Sequence, residues 1–157
     1  MSNSLKLALC ILLTVAIGAV SGLFTAGNVT EWYTTINRPA WNPPNWIFGP
    51  VWTALYILMG ICFYLIITKP ARQSVRKTAF VLFLFQLVLN FFWSLIFFSM
   101  HEIGWALVEI GVLWMAILLT IFAVARISKP AAWLLVPYIS WVSFASILNF
   151  TIWQLNR

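Results

Sequence analysis

The amino-acid sequence predicts an all-α integral membrane protein, a five-transmembrane-helix bundle with a Trp/Pro-rich loop lid between helices 1 and 2. Three observations carry that prediction. The 157 residues are 63% hydrophobic and only 8% charged, with a mean hydropathy of +0.97, whereas soluble domains run near one quarter charged. The apolar residues gather into five runs, each near the length of about 20 residues that a spanning helix needs. Between the first two runs, the stretch WYTTINRPAWNPPNWIFGPVWTALY holds Trp32, Trp41, Trp46 and Trp52 together with Pro39, Pro43, Pro44 and Pro50. One domain is expected over residues 1–157, with helices at about 5–24, 47–68, 78–100, 103–126 and 131–153 and the lid at 25–46.

The first run, 5–24, carries a single charge, Lys6. Its length favours a retained helix over a signal peptide. Gly18 and Gly22 form a GxxxG, the spacing that lets another helix approach closely. Packing within the monomer is the expected use, and a homodimer seam is the alternative. After this run, Asn28 followed by Glu31 reads as a helix N-cap with its box partner, so a short helix is expected from Val29 to about Ile36. From Pro39 to Pro50 the prolines forbid a regular helix and stiffen the chain. A lid stiffened in this way loses less conformational entropy on closing than a flexible one.

In the second helix Trp52, Tyr56 and Met59 fall on one face by the i, i+4, i+7 rule. Lys69, Arg72, Arg76 and Lys77 make the next loop basic. In the third helix Gln86, Asn90, Trp93 and Phe97 share a face; amides in hydrocarbon need a partner or a cavity, so either an interhelical hydrogen bond or a polar contact in a pocket is expected. A tight turn at His101 and Glu102 leads to the fourth helix. There Glu109 is the one carboxylate well inside an apolar span, and therefore a functional suspect. Arg126 and Lys129 flank the last loop. In the fifth helix Pro137 is expected to kink the chain, and Tyr138, Trp141, Ala145 and Asn149 share a face.

Five spans place the two ends on opposite sides. The amino end and the loops at 69–77 and 126–130 collect Lys6, Lys69, Arg72, Arg76, Lys77, Arg126 and Lys129, against only Arg38 and Arg157 on the other side. The positive-inside rule puts the amino terminus in the cytoplasm and the lid outward. The lack of an Arg/Ser-rich start points to a bacterial cell membrane. The net charge of +6 is scattered over segment ends, which argues against nucleic acid as a partner.

No catalytic constellation is legible. The chain has one His and no Asp, no phosphate-binding glycine motif and no spacing that supports a metal site. Cys10 and Cys62 sit in apolar runs and read as buried thiols. What remains is aromatic: Trp52, Tyr56, Trp93 and Trp141 converging under the Trp32–Trp46 lid. Such faces either pack on one another or hold a large, flat, mostly apolar molecule, each stacked contact adding about 0.5–1.5 kcal/mol. Asn90 and Tyr33 would orient that ligand, and Arg38 would meet a ligand carboxylate at the mouth.

The lid stretch, the LNFFWSLIFF of the third helix and the LLVPYISWVSFASILNF of the fifth resemble the tryptophan-rich sensory protein family, that of the translocator protein or peripheral benzodiazepine receptor. The resemblance covers nearly the whole chain. It implies a five-helix bundle, often a homodimer, that binds porphyrins such as protoporphyrin IX, isoquinoline carboxamides and benzodiazepines. No cofactor is required and porphyrin is a ligand. Carried over by position, the implied ligand-binding residues are Trp32, Tyr33, Pro43, Trp52, Tyr56, Asn90, Trp93, Ser94, Trp141, Ala145 and Leu148. Trp52 and Trp141 match the tryptophans implicated in light-dependent porphyrin breakdown. The animal sterol motif is broken here, because Leu148 is followed by Phe150 and Arg157 lies too far away. The function expected is a membrane receptor for tetrapyrroles and similar flat ligands in tetrapyrrole regulation or stress sensing. The alternatives are a porphyrin or sterol transporter, although the chain lacks the repeats that mark many transporters, and a porphyrin-degrading protein.

Overall fold

The computed structural model describes residues 2–157, and among them every regular element is helical. The elements are α1 (Asn3–Thr30), α2 (Trp32–Thr35), a 3₁₀ turn (Asn45–Ile47), α3 (Phe48–Thr68), α4 (Gln73–Ser94) running into a π-helical turn (Leu95–Ser99), α5 (Ile103–Ala125), α6 (Lys129–Trp133) and α7 (Val136–Leu155). Five helical stretches are long and apolar enough to cross a membrane, so the protein is a multi-pass membrane protein. Helices are the natural solution there, because hydrocarbon offers no partner to an unpaired backbone group.

The first span is longer than its apolar run. Ser2 caps it, its Oγ accepting from the Leu5 N–H at 3.2 Å, and the helix continues through Asn28 to Thr30. The expected cap at Asn28 is absent: its side chain instead meets His101 Nε2 at 3.1 Å. The chain leaves the helix only at Glu31, and α2 is a single turn. The lid is therefore residues 31–44, shorter than the expected 25–46.

The third span begins at Gln73 rather than near 78. Arg76 and Lys77 lie inside it because long basic side chains reach the interface without ending a helix; the Arg76 guanidinium donates to the Lys69 carbonyl at 2.9 Å. The fifth span is broken rather than kinked. Its chain turns at Leu134 and Leu135, and Pro137 stands in the first turn of α7, where its missing N–H leaves nothing unpaired. The second and fourth spans start and stop within a residue or two of expectation.

Helix α1 packs along α3, α4 along α5, and α5 along α7. The α1–α3 contact is a backbone approach: a methyl at Gly60 would meet the Ile11 backbone and the Thr14 Oγ1. That hydroxyl donates to the Tyr56 carbonyl at 2.7 Å, so the small residue and the hydrogen bond hold the two helices together.

Candidate functional site

The first, second, third and fifth spans do not close on one another at the lid end. They leave a cavity of about 420 Å³, within the range of small-molecule sites. Helix α1 forms one wall with Gly18, Gly22, Thr25 and Val29. Helix α3 brings Phe48, Trp52 and Tyr56; α4 and its π turn bring Trp93, Ser94, Phe97 and Phe98; α7 brings Trp141, Ala145, Leu148 and Asn149. Tyr33 reaches in from the lid, and α5 takes no part.

The aromatic groups are set in place by neighbours. The Trp93 indole N–H donates to Asn149 Oδ1 at 3.2 Å, and Asn149 Nδ2 donates to the Ile103 carbonyl at 3.0 Å. Trp93 and Phe97 stack at 5.5 Å. Trp141 meets Phe48 edge-on at 6.3 Å and tilts against Phe144 at 5.4 Å. Trp52 lies 5.9 Å from the Tyr56 ring and 6.3 Å from that of Tyr138. Below this layer, Tyr56 donates its hydroxyl to Asn90 Oδ1, and Asn90 Nδ2 donates to the Tyr138 hydroxyl at 2.9 Å. All three residues are buried.

The lid is fastened at several points. Trp32 stacks on His101 with centroids 4.2 Å apart and planes 15° from parallel. The Tyr33 hydroxyl donates to Asn42 Oδ1 at 2.6 Å, and Asn42 Nδ2 donates to the Pro43 carbonyl at 2.9 Å. Trp41 lies edge-on to Phe144 at 5.9 Å, Asn45 Nδ2 donates to the Val29 carbonyl at 3.1 Å, and Asn37 is tied to the end of α7. His101 holds its place with a φ of 59°, the left-handed region that a non-glycine residue enters only at a cost.

Eight of the eleven residues singled out from sequence line this cavity: Tyr33, Trp52, Tyr56, Trp93, Ser94, Trp141, Ala145 and Leu148. Three do not. Trp32 faces His101 and Phe97, Pro43 serves the hydrogen-bonded lid turn, and Asn90 is consumed by two tyrosines beneath the floor. Arg38 lies over the Tyr33 ring at 5.1 Å instead of at the cavity wall. The wall missed from sequence is α1. Its signal was the stripe of small residues Gly18, Ser21, Gly22 and Thr25, which suits close helix packing and an open space equally. Both occur: a methyl at Gly18 would strike the Tyr56 ring, whereas nothing lies within 4 Å of one at Gly22.

Comparison with known proteins agrees with this architecture. The chain is similar to the "Tryptophan-rich protein TspO" of Chlorobaculum tepidum, 49% identical over 152 residues that cover 97% of this chain and 96% of the relative. It is 38% identical to the human "Translocator protein" over 140 residues, 88% of this chain and 82% of that one. It is 35% identical to the "Tryptophan-rich sensory protein" of Cereibacter sphaeroides over 126 residues, 80% and 77% of the two chains. Residues 10–154 match the TspO/MBR family, a span that takes in the lid and all the cavity walls, and the chain belongs to that family.

Proposed function

We propose that this protein is a membrane receptor for flat, largely apolar ligands of the tetrapyrrole class, held among Trp52, Trp93 and Trp141 beneath the lid. The observation that carries this is the aromatic lining of one cavity of about 420 Å³. Its rings are already positioned by hydrogen bonds and edge contacts, so little ordering is left for the ligand to bring about. Aromatic faces favour stacking, and the scarcity of free polar groups favours an apolar body over a sugar or nucleotide. Synthetic isoquinoline carboxamides and benzodiazepines share that character.

The orientation we propose has the basic ends of the bundle, with Lys6, Lys69, Arg72 and Arg126, in the cytoplasm of a bacterial cell and the lid outside. A cysteine replacing the exposed Trp46 is then labelled from outside intact cells; protection there reverses the orientation.

Titration of the protein in lipid nanodiscs with protoporphyrin IX in the dark tests the receptor reading. Saturable quenching of tryptophan fluorescence at micromolar porphyrin is expected, and its absence withdraws the tetrapyrrole assignment. A second reading, light-dependent porphyrin degradation, draws support from Trp52 and Trp141 lining the same cavity. Illumination of the bound complex separates the two: loss of the porphyrin absorbance that disappears in Trp52→Phe with Trp141→Phe favours chemistry over binding alone.

A further inference from the structure

The end of the bundle away from the lid carries cations and no counter-charge. The chain has three carboxylate side chains. Glu31 closes α1 at the lid, Glu102 precedes α5 there, and Glu109 stands in the second turn of α5. None of them reaches the far end, where α3 turns into α4. At that turn Lys69, Arg72, Arg76 and Lys77 fall within one short stretch, and Lys69, Arg72 and Lys77 are exposed.

The hairpin holds these groups together. The Arg76 guanidinium donates to the Lys69 carbonyl at 2.9 Å, and the Arg76 backbone N–H donates to the Arg72 carbonyl at 3.0 Å. The loop is therefore folded back on the first turn of α4, with Pro70 stiffening it. Arg76 is spent on this tie, whereas the exposed heads of Lys69, Arg72 and Lys77 stay free to meet an anion. Directly below them the surface turns apolar. Phe80 lies one helical turn on from Arg76 and Lys77, and Leu84 one turn further. Phe80 tilts against Phe63 of α3 at 5.6 Å, and Ile67 stands one turn from Phe63 towards the loop. Ile67, Phe80 and Leu84 are each more than a third exposed. The hairpin thus presents a cationic crown over an apolar strip, the pattern of an anionic headgroup on acyl chains.

We infer that the α3–α4 hairpin is a binding site for an anionic phospholipid, whose phosphate is held by Lys69, Arg72 and Lys77 while its acyl chains lie along Ile67, Phe80 and Leu84. Charge complementarity selects the partner: basic groups beside a membrane helix attract anionic headgroups, and guanidinium and ammonium donors form charge-assisted hydrogen bonds to phosphate. A zwitterionic lipid brings its own cation and gains less. The apolar strip selects a lipid over a free phosphate ester. None of these residues lines the aromatic cavity, so the site is independent of the porphyrin reading.

Native mass spectrometry of the full chain in a neutral detergent, titrated with phosphatidylglycerol or with phosphatidylcholine of the same chains, tests the site. One phosphatidylglycerol is expected to bind about tenfold or more tightly than phosphatidylcholine. Arg72→Gln with Lys77→Gln, both surface changes, is expected to weaken phosphatidylglycerol about tenfold and leave phosphatidylcholine unchanged. Arg126→Gln with Lys129→Gln removes the same charge from the neighbouring loop, also at exposed positions, and is expected to change little. Glycerol 3-phosphate, which has the anion but no chains, is expected not to displace the bound lipid. Equal binding of the two lipids overturns the proposal. So does an equal loss in both double variants, which would make the attraction a property of the whole basic end. Displacement by glycerol 3-phosphate overturns it as well, since the site would then take free phosphate esters.

Discussion

Asn37 and Asn156 clasp each other across 119 positions of the chain. The Asn37 backbone N–H donates to Asn156 Oδ1 at 3.0 Å, and Asn156 Nδ2 donates back to the Asn37 carbonyl at 2.9 Å. A third bond, from Asn37 Nδ2 to the Leu155 carbonyl at 3.3 Å, completes the tie. The lid is thus pinned at the end of α7, the helix that supplies Trp141 and Leu148 to the cavity.

Removal of that clasp should loosen the lid without emptying the cavity. Asn156→Ala deletes its two exposed hydrogen bonds to the lid, of about 1 kcal/mol or less each, along with one to the Ile152 carbonyl inside α7, and about 1.4 kcal/mol is a factor of ten in rate. Ligand dissociation is expected to quicken up to about tenfold, with faster amide hydrogen exchange over residues 36–44 and little change in thermal stability. Unchanged exchange in those residues would show that the clasp does not restrain the lid.

His101 offers a separation of backbone strain from lid contact. Its φ of 59° suits glycine, and its ring stacks on Trp32. Both His101→Ala and His101→Gly lose the stack, worth about 0.5–1.5 kcal/mol, so both should speed ligand release by a similar factor. Glycine takes the left-handed conformation freely, whereas alanine in it is strained by about 1–2 kcal/mol. His101→Gly should therefore melt at a higher temperature than His101→Ala. The reverse order contradicts the backbone assignment.

The two glycines of the GxxxG separate in the same way. Gly18→Ala drives a methyl into the Tyr56 ring, which its hydrogen bond to Asn90 holds in place. Overpacking of this kind destabilises by about 1–3 kcal/mol. Gly22→Ala meets nothing within 4 Å and projects into the cavity. It should hold or raise the melting temperature through its better helix propensity while weakening a bulky ligand. Chemical unfolding and ligand titration of the two variants check the contrast, and equal effects on both measurements would refute it.

Asn90 is expected to act on stability before affinity. Asn90→Leu strands two buried phenols, Tyr56 and Tyr138, at about 1–3 kcal/mol for each unpaired group. A lower melting temperature with near-normal affinity at low temperature is the expected pattern. A stable Asn90→Leu protein that has lost its ligand would place the amide in the binding site after all.

These contrasts show what was legible in the sequence. The five spans were, because hydrophobic length alone sets them. The inward faces of α3, α4 and α7 were, because Trp52 and Tyr56, Trp93 and Phe97, and Trp141 and Ala145 recur at helical spacing. The wall contributed by α1 was not, since a stripe of small residues does not say whether a neighbour or a void faces it. Asn28 misled because asparagine favours caps in general; here it is drawn to His101, a residue 73 positions away. Asn90 misled because a buried amide in a membrane helix suits a ligand or a partner equally, and its two partners arrive from α3 and α7.

The most direct test of the central claim compares tryptophan quenching by protoporphyrin IX in three forms: the unaltered protein, Trp141→Ala, and Trp133→Ala, a residue 71% exposed and outside the cavity lining. Saturable quenching that survives Trp133→Ala and weakens at least tenfold in Trp141→Ala, with both variants melting as cooperatively as the unaltered protein, is the predicted result. Quenching that is non-saturable, or that is equally strong in Trp141→Ala, would contradict a ligand held in the aromatic cavity beneath the lid.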